Sequence, residues 1–287
     1  MIARPSYGGE REPDSHPTPG LPTFVQSARE PPPRQGRRRG AARGLSVLRG
    51  RFRDVSPAGR PVETDVSATA WIPASGWLLP TVFAAYARVL HPAIRYVGDD
   101  DVEVSWAEVA EENAAIAHPL MQWPAITGGW EFVHEDDQSP LWDDSPAEGH
   151  LPVSVASRLV AVLRRHTSTP DDCWFGVWAG FGWHVGAPAP TETDLLGRDY
   201  WLLRGPIDLA AANTAPEPAE QSVNIWWPAD RAWCVVTDID LMSTYVGGST
   251  ACIDELLATP DLEVVPAVVF DRVDMGADVI NPVPDRQ

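Results

Sequence analysis

Apolar residues become regularly spaced only near Val62, and from there the period of the pattern changes once along the chain. Leu79 to His91 carries Val82, Phe83, Tyr86, Val89 and Leu90 at helical spacing, with Pro80 near the first turn and His91-Pro92 as a stop, and predicts a helix. Val102 and Val104 predict a short strand. Ser105-Trp106-Ala107-Glu108 matches a capping box, so a second helix starts there with Trp106, Val109 and Ala110 on its apolar face. His118 to Leu151 shows no sustained period and reads as a long irregular connection. Ser154 then caps a third predicted helix, with Val155, Leu159, Val162, Leu163 and His166 at helical spacing and Thr169-Pro170-Asp171 as its end.

Past that stop the pattern becomes strand-like. Cys173 to Ala179 and Tyr200 to Arg204 are short and aromatic, and Val223 to Trp227 and Ala232 to Asp240 flank a hairpin turn at Pro228-Ala229-Asp230-Arg231. Gly247-Gly248-Ser249-Thr250 leads into a helix through Ile253, Leu256 and Leu257, and Glu263 to Val269 is the last predicted strand. Three helices ahead of several strands and one late helix predict an α+β fold, a mostly antiparallel sheet with flanking helices. No repeat of 20–50 residues interrupts that picture.

Composition divides the chain. Residues 1–60 hold twelve arginines and five acids, the remainder ten arginines and thirty-five acids, so a net charge of −18 splits into +7 and −25; there is no lysine. Residues 1–61 are rich in Pro, Gly, Arg and Ser and too poor in large apolar side chains to offset the entropy of ordering them. They are expected to be a disordered basic tail, either a solvated segment or sequence upstream of the true start, with the acid-free stretch Pro31 to Arg53 as the alternative of a binding arm. Residues 62–287 are expected to form one acidic domain whose field disfavours nucleic acid and anionic membranes. No apolar run reaches the ~20 residues of a membrane span, Arg37-Arg38-Arg39 is followed by further arginines and no apolar export signal, and a cytoplasmic protein is expected. Cys173, Cys234 and Cys252 lack the spacing of a metal knuckle or a disulfide framework and read as buried thiols.

Most candidate chemistry fails on its own terms. His134-Glu135-Asp136-Asp137-Gln138 has Gln where a zinc-binding helix needs its second His, and Asp99-Asp100-Asp101-Val102-Glu103 lacks the glycine and alternation of a calcium loop, so no metal site and no cofactor is implied. Gly247-Gly248-Ser249-Thr250-Ala251 stands where a nucleophile elbow would, yet Ala replaces the final Gly and no histidine follows, the last being His184. The same four residues, Gly247, Gly248, Ser249 and Thr250, open a helix, so they form either an ordinary N-cap or an anion-binding turn. Asp238 and Asp240, two apart in a predicted strand, project to one face, where they either meet solvent or act as paired carboxylates, with His184 as the histidine to place beside them.

All thirteen tryptophans lie between Trp71 and Trp233. In the Cys173 strand, alternation puts Trp174 and Trp178 on one face and Cys173, Phe175 and Val177 on the other. Either both faces are covered core, or the tryptophan face, with Trp226, is a platform for a ligand or partner.

Asn224 to Cys234 and its continuation Thr244 to Ser249, together with Phe83 to Pro92 and Asp171 to Phe175, resemble uncharacterised tryptophan-rich proteins of high-GC actinobacteria, over roughly residues 70 to 281. The resemblance implies a provenance and carries no activity or site residue. Two functions are therefore expected in order: a non-catalytic module that binds a protein or small ligand through an aromatic and acidic surface, and, as the alternative, a hydrolase or transferase built on Asp238, Asp240 and His184 with the Gly247 to Thr250 turn.

Overall fold

The computed structural model describes residues 69–72, 78–130, 138–182, 192–216 and 219–281, with the backbone alone at 192–194, and all of these belong to one unit. The elements run β1 (Ala85–Leu90), β2 (Ala93–Val97), β3 (Asp100–Val104), α1 (Trp106–Glu112), α2 (Trp123–Thr127), α3 (Val153–Leu163), β4 (Cys173–Trp178), β5 (Glu192–Leu195), β6 (Arg198–Gly205), β7 (Ile225–Pro228), β8 (Cys234–Val236), β9 (Ser243–Gly248), α4 (Thr250–Leu257) and β10 (Val264–Ala267). Eight strands form one sheet in the order β10-β1-β9-β8-β7-β4-β6-β5, with every neighbouring pair antiparallel, while β2 and β3 make a separate ribbon. The fold is thus α+β, as the order of periodic segments predicts. No helix among the described residues is long and apolar enough to cross a membrane.

The predicted helix at Leu79 to His91 is a strand. β1 lies between β9 and β10, with Ala87 and Val89 in one hydrophobic cluster and Tyr86 and Leu90 in two others, so both faces are covered. A strand buried on both sides loses its polar alternation, and its apolar run then fits a helical spacing equally well. The third helix also starts differently: α3 has Pro152 at its N-cap, and the Ser154 hydroxyl donates to Glu103 at 2.7 Å. Proline has no side-chain oxygen to accept from the first-turn amides, so this helix start lacks a side-chain cap bond.

α1 obeys its sequence signature. Ser105 Oγ accepts from the Glu108 amide at 3.2 Å and the Glu108 carboxylate returns the bond to the Ser105 amide at 3.0 Å. The Glu263 carboxylate adds two more acceptors for the orphan donors of the first turn, at 2.7 Å from the Trp106 amide and 2.8 Å from that of Ala107. The helix so fixed places Trp106 against Trp123, and Trp123 against Trp142, at ring separations of 5.3 and 5.2 Å. This aromatic stack is the centre of a cluster formed by β1 to β3, α1, α2 and the irregular stretch that follows.

The sheet carries the other two clusters. On one face, α3, α4 and the short turn Ile207–Ala211 cover Phe175, Val177, Trp226, Trp233 and Val246. On the other, Trp71, Ile72, Leu79 and Phe83 lie with Trp174, Tyr200, Ile225, Trp227 and Tyr245. The chain segment before β1 therefore covers sheet that would otherwise face water.

Candidate functional site

The aromatic face is real, but its membership differs from the alternation-based expectation. Register pairs Trp174 with Trp227 and Phe175 with Trp226, and directly paired residues share a face. Trp226 thus lies under the helices, fully buried, its ring 6.5 Å from Phe175 and 5.1 Å edge-on to Trp233. Its indole N–H has no acceptor. Trp227 takes the place beside Trp174, where Trp71 meets it edge-on at 6.1 Å.

Two arginines lie over Trp174 and Trp178 on that face. Arg204, opposite Trp174 in register, holds its guanidinium 4.8 Å from the indole and is fixed by two bonds to the Asp172 carboxylate, at 2.5 and 2.7 Å. Its proximity keeps the Asp172 carboxyl below the usual carboxylate range. Arg198 lies 5.8 Å from the Trp178 ring, whose edge meets Phe181 at 4.9 Å. A guanidinium above an indole attracts the ring's negative face, so each tryptophan already has a cationic partner.

Arg198 also determines what Asp238 and Asp240 can do. Both lie in the turn between β8 and β9 and not in a strand as predicted, because β8 stops at Val236 and does not continue to Asp240. The turn nonetheless brings them together: Arg198 reaches Asp240 at 2.9 Å and Asp238 at 3.4 Å, and Asp238 Oδ1 accepts from the Asp240 amide at 3.0 Å. Burial raises the Asp238 carboxyl above its ordinary value, and Arg198 opposes that shift. His184 lies outside the described residues, as do His134 to Asp137 and the basic stretch Pro31 to Arg53. Among the described residues no group of three or more His, Cys, Asp or Glu side chains is placed to hold a metal ion.

At the glycine turn, Gly247 belongs to β9 opposite Tyr86, and a Cβ there would meet the Phe83 ring at 2.5 Å, so packing requires the glycine. Gly248 is likewise in β9, and a Cβ there would touch Cys252 at 3.4 Å. Ser249 is the N-cap of α4, its hydroxyl accepting from the Cys252 amide at 3.2 Å, and Thr250 is the first helical residue. The turn is thus a self-capped helix start. The three thiols are buried, and burial pushes Cys173 and Cys252 up to about 12 and Cys234 higher still, so all are protonated at neutral pH. In the acidic segment, Glu103 pairs with Arg158 at 2.6 Å, and Asp99, Asp100 and Asp101 are exposed.

Two buried polar groups had no counterpart in the pattern of the sequence. Arg88 is 3% exposed, donating from Nε to Ser243 Oγ at 3.0 Å and from Nη1 to the Met121 and Pro119 carbonyls at 2.8 and 3.2 Å, with its guanidinium 5.2 Å from the Trp106 ring. Burial pulls its pKa down, and Glu263 and Asp278 oppose the shift from a distance. His91 is fully buried, with Nδ1 2.7 Å from the Ala147 carbonyl and Nε2 2.9 Å from Thr244 Oγ1. A carbonyl only accepts, so Nδ1 carries the hydrogen, Nε2 accepts from Thr244, and Thr244 accepts from Thr237 at 2.6 Å. Burial lowers the pKa of this ring to about 3 and keeps it neutral.

A cavity of about 270 Å³ opens on the aromatic face. Leu78, Leu79, Tyr86 and Tyr245 line it together with Ala267 and the loop that follows β10, through Asp274. Val268 and Phe270 in that loop are 60% and 61% exposed. Alternation could have placed Tyr86, Tyr245 and Ala267 on one face only if β1 had been read as a strand. No family model, no curated protein and no solved structure matches the chain.

Proposed function

We propose that the protein is a binding module for a small ligand and that the cavity at the β10 edge is its site. The observation that carries this reading is the 270 Å³ opening on the aromatic face, rimmed by exposed Val268 and Phe270. A concave apolar site gains affinity by removing ligand and wall from water together, and its volume lies near the lower end of the ~300–1,000 Å³ typical of ligand pockets. The paired carboxylates, the Ser249 turn and the tryptophans Trp174 and Trp178 offer less: each is occupied by a partner within the chain.

N-phenyl-1-naphthylamine, a neutral fluorophore that brightens in apolar surroundings, tests the reading. The protein should raise its emission saturably, Ala267→Leu should weaken binding at least tenfold by filling the cavity, and Phe270→Ser, at an exposed position, should weaken it severalfold. Equal titrations for all three proteins, or no saturable signal, would overturn the assignment.

A further inference from the structure

The walls of the cavity indicate which ligands it accepts. Tyr86 and the charged rim already have partners: the Tyr86 hydroxyl donates to the Pro80 carbonyl at 2.8 Å and accepts from the Phe83 amide at 3.2 Å. Tyr245, on β9, adds its ring to the same wall. Asp271 accepts from the Val268 amide at 2.8 Å, and Arg272 is held by Asp274 at 2.8 Å, where Asp274 also accepts from the Gly276 amide at 2.8 Å. The titratable groups on the rim therefore sum to one net negative charge, and the one cation among them is paired.

Resting on the cavity assignment above, we infer that the ligand is a small apolar molecule whose buried part is uncharged, and that the site discriminates against anionic amphiphiles. A carboxylate brought to this wall would lose water, Asp271 and Asp274 would repel it, and the charge of Arg272 is already offset by Asp274. A hydroxyl-ended or purely hydrocarbon chain loses little by comparison.

Competition against bound N-phenyl-1-naphthylamine at pH 8 reads this directly, using octanol and octanoate, which share a chain and differ in charge. Octanol should displace the probe at a concentration at least tenfold lower than octanoate. Asp274→Asn frees the Arg272 guanidinium while leaving the apolar wall intact, and it should narrow that gap at least threefold by strengthening octanoate alone. Equal or tighter displacement by octanoate on the wild-type protein, with the probe still bound, would overturn the charge inference and leave the cavity assignment standing. A gap that Asp274→Asn leaves unchanged would also overturn it, because the discrimination would then not come from the rim charges. Failure of the probe to bind at all would remove the cavity assignment, and the inference with it.

Discussion

Acid should destabilise this protein through His91 by an amount that the structure sets. The ring is neutral in the folded state with a pKa of about 3, against 6.5 for an ordinary histidine. The sign follows from which state binds the proton: below pH 6.5 the unfolded chain takes it up and the folded chain does not, so stability is fully present above that value and falls as the pH drops towards 3. Each unit of difference corresponds to about 1.4 kcal/mol, giving about 2 kcal/mol lost between pH 8 and pH 5 and roughly 4 kcal/mol by pH 3. Other groups titrate over the same range, so a difference between two proteins isolates His91. In His91→Asn the amide N–H can still donate to the Ala147 carbonyl and nothing at that position titrates. Urea unfolding at pH 8 and pH 5 should show the wild type losing ~2 kcal/mol more than the variant. Equal losses would refute the reasoning, since they would mean that the ring takes up its proton equally in both states. Should the variant fail to fold, ¹⁵N shifts of the wild-type His91 ring give the same answer, staying those of the neutral Nδ1–H tautomer down to pH 5.

Two further expectations concern folding. Trp233 donates its indole N–H to the Leu163 carbonyl at 3.0 Å and Trp226 donates to nothing, although both rings are fully buried. Trp233→Phe should therefore cost about 1–3 kcal/mol more than Trp226→Phe in urea unfolding, the cost of leaving a buried acceptor unpaired, and equal costs would contradict the hydrogen-bond assignment. Ser105→Ala and Ser249→Ala should each lower stability by about 1 kcal/mol as lost N-caps, while Ser154→Ala, which caps nothing, should cost less than either; the reverse order would contradict the assigned caps.

What could be read from the chain was whatever a local rule decides. The capping box at Ser105, the hairpin at Pro228 to Arg231 and the opposite faces of Trp174 and Phe175 all depend on residues a few positions apart, and each is found as expected. β1 was not legible, because burial on both faces erases the alternation that distinguishes a strand. That loss propagated: with β1 read as a helix, Tyr86 and Tyr245 could not be brought to one cavity, nor Arg88 to Ser243 across 155 positions. Trp226 was assigned to the wrong face because the face it shares is set by register with β4, a non-local fact. The convergence of Asp238 and Asp240 came from a turn and from Arg198 on a distant strand, where the sequence pattern suggested a continuous β8.

The central claim is that ligand enters at the β10 edge and not at the tryptophans or the α4 cap. Amide and side-chain NMR shifts recorded across a titration with N-phenyl-1-naphthylamine test it most directly. The account predicts that the largest changes fall on Leu78, Leu79, Tyr86, Tyr245 and residues 267–274. Changes centred on Trp174, Trp178 and Arg198, or on Ser249 and Thr250, would contradict it.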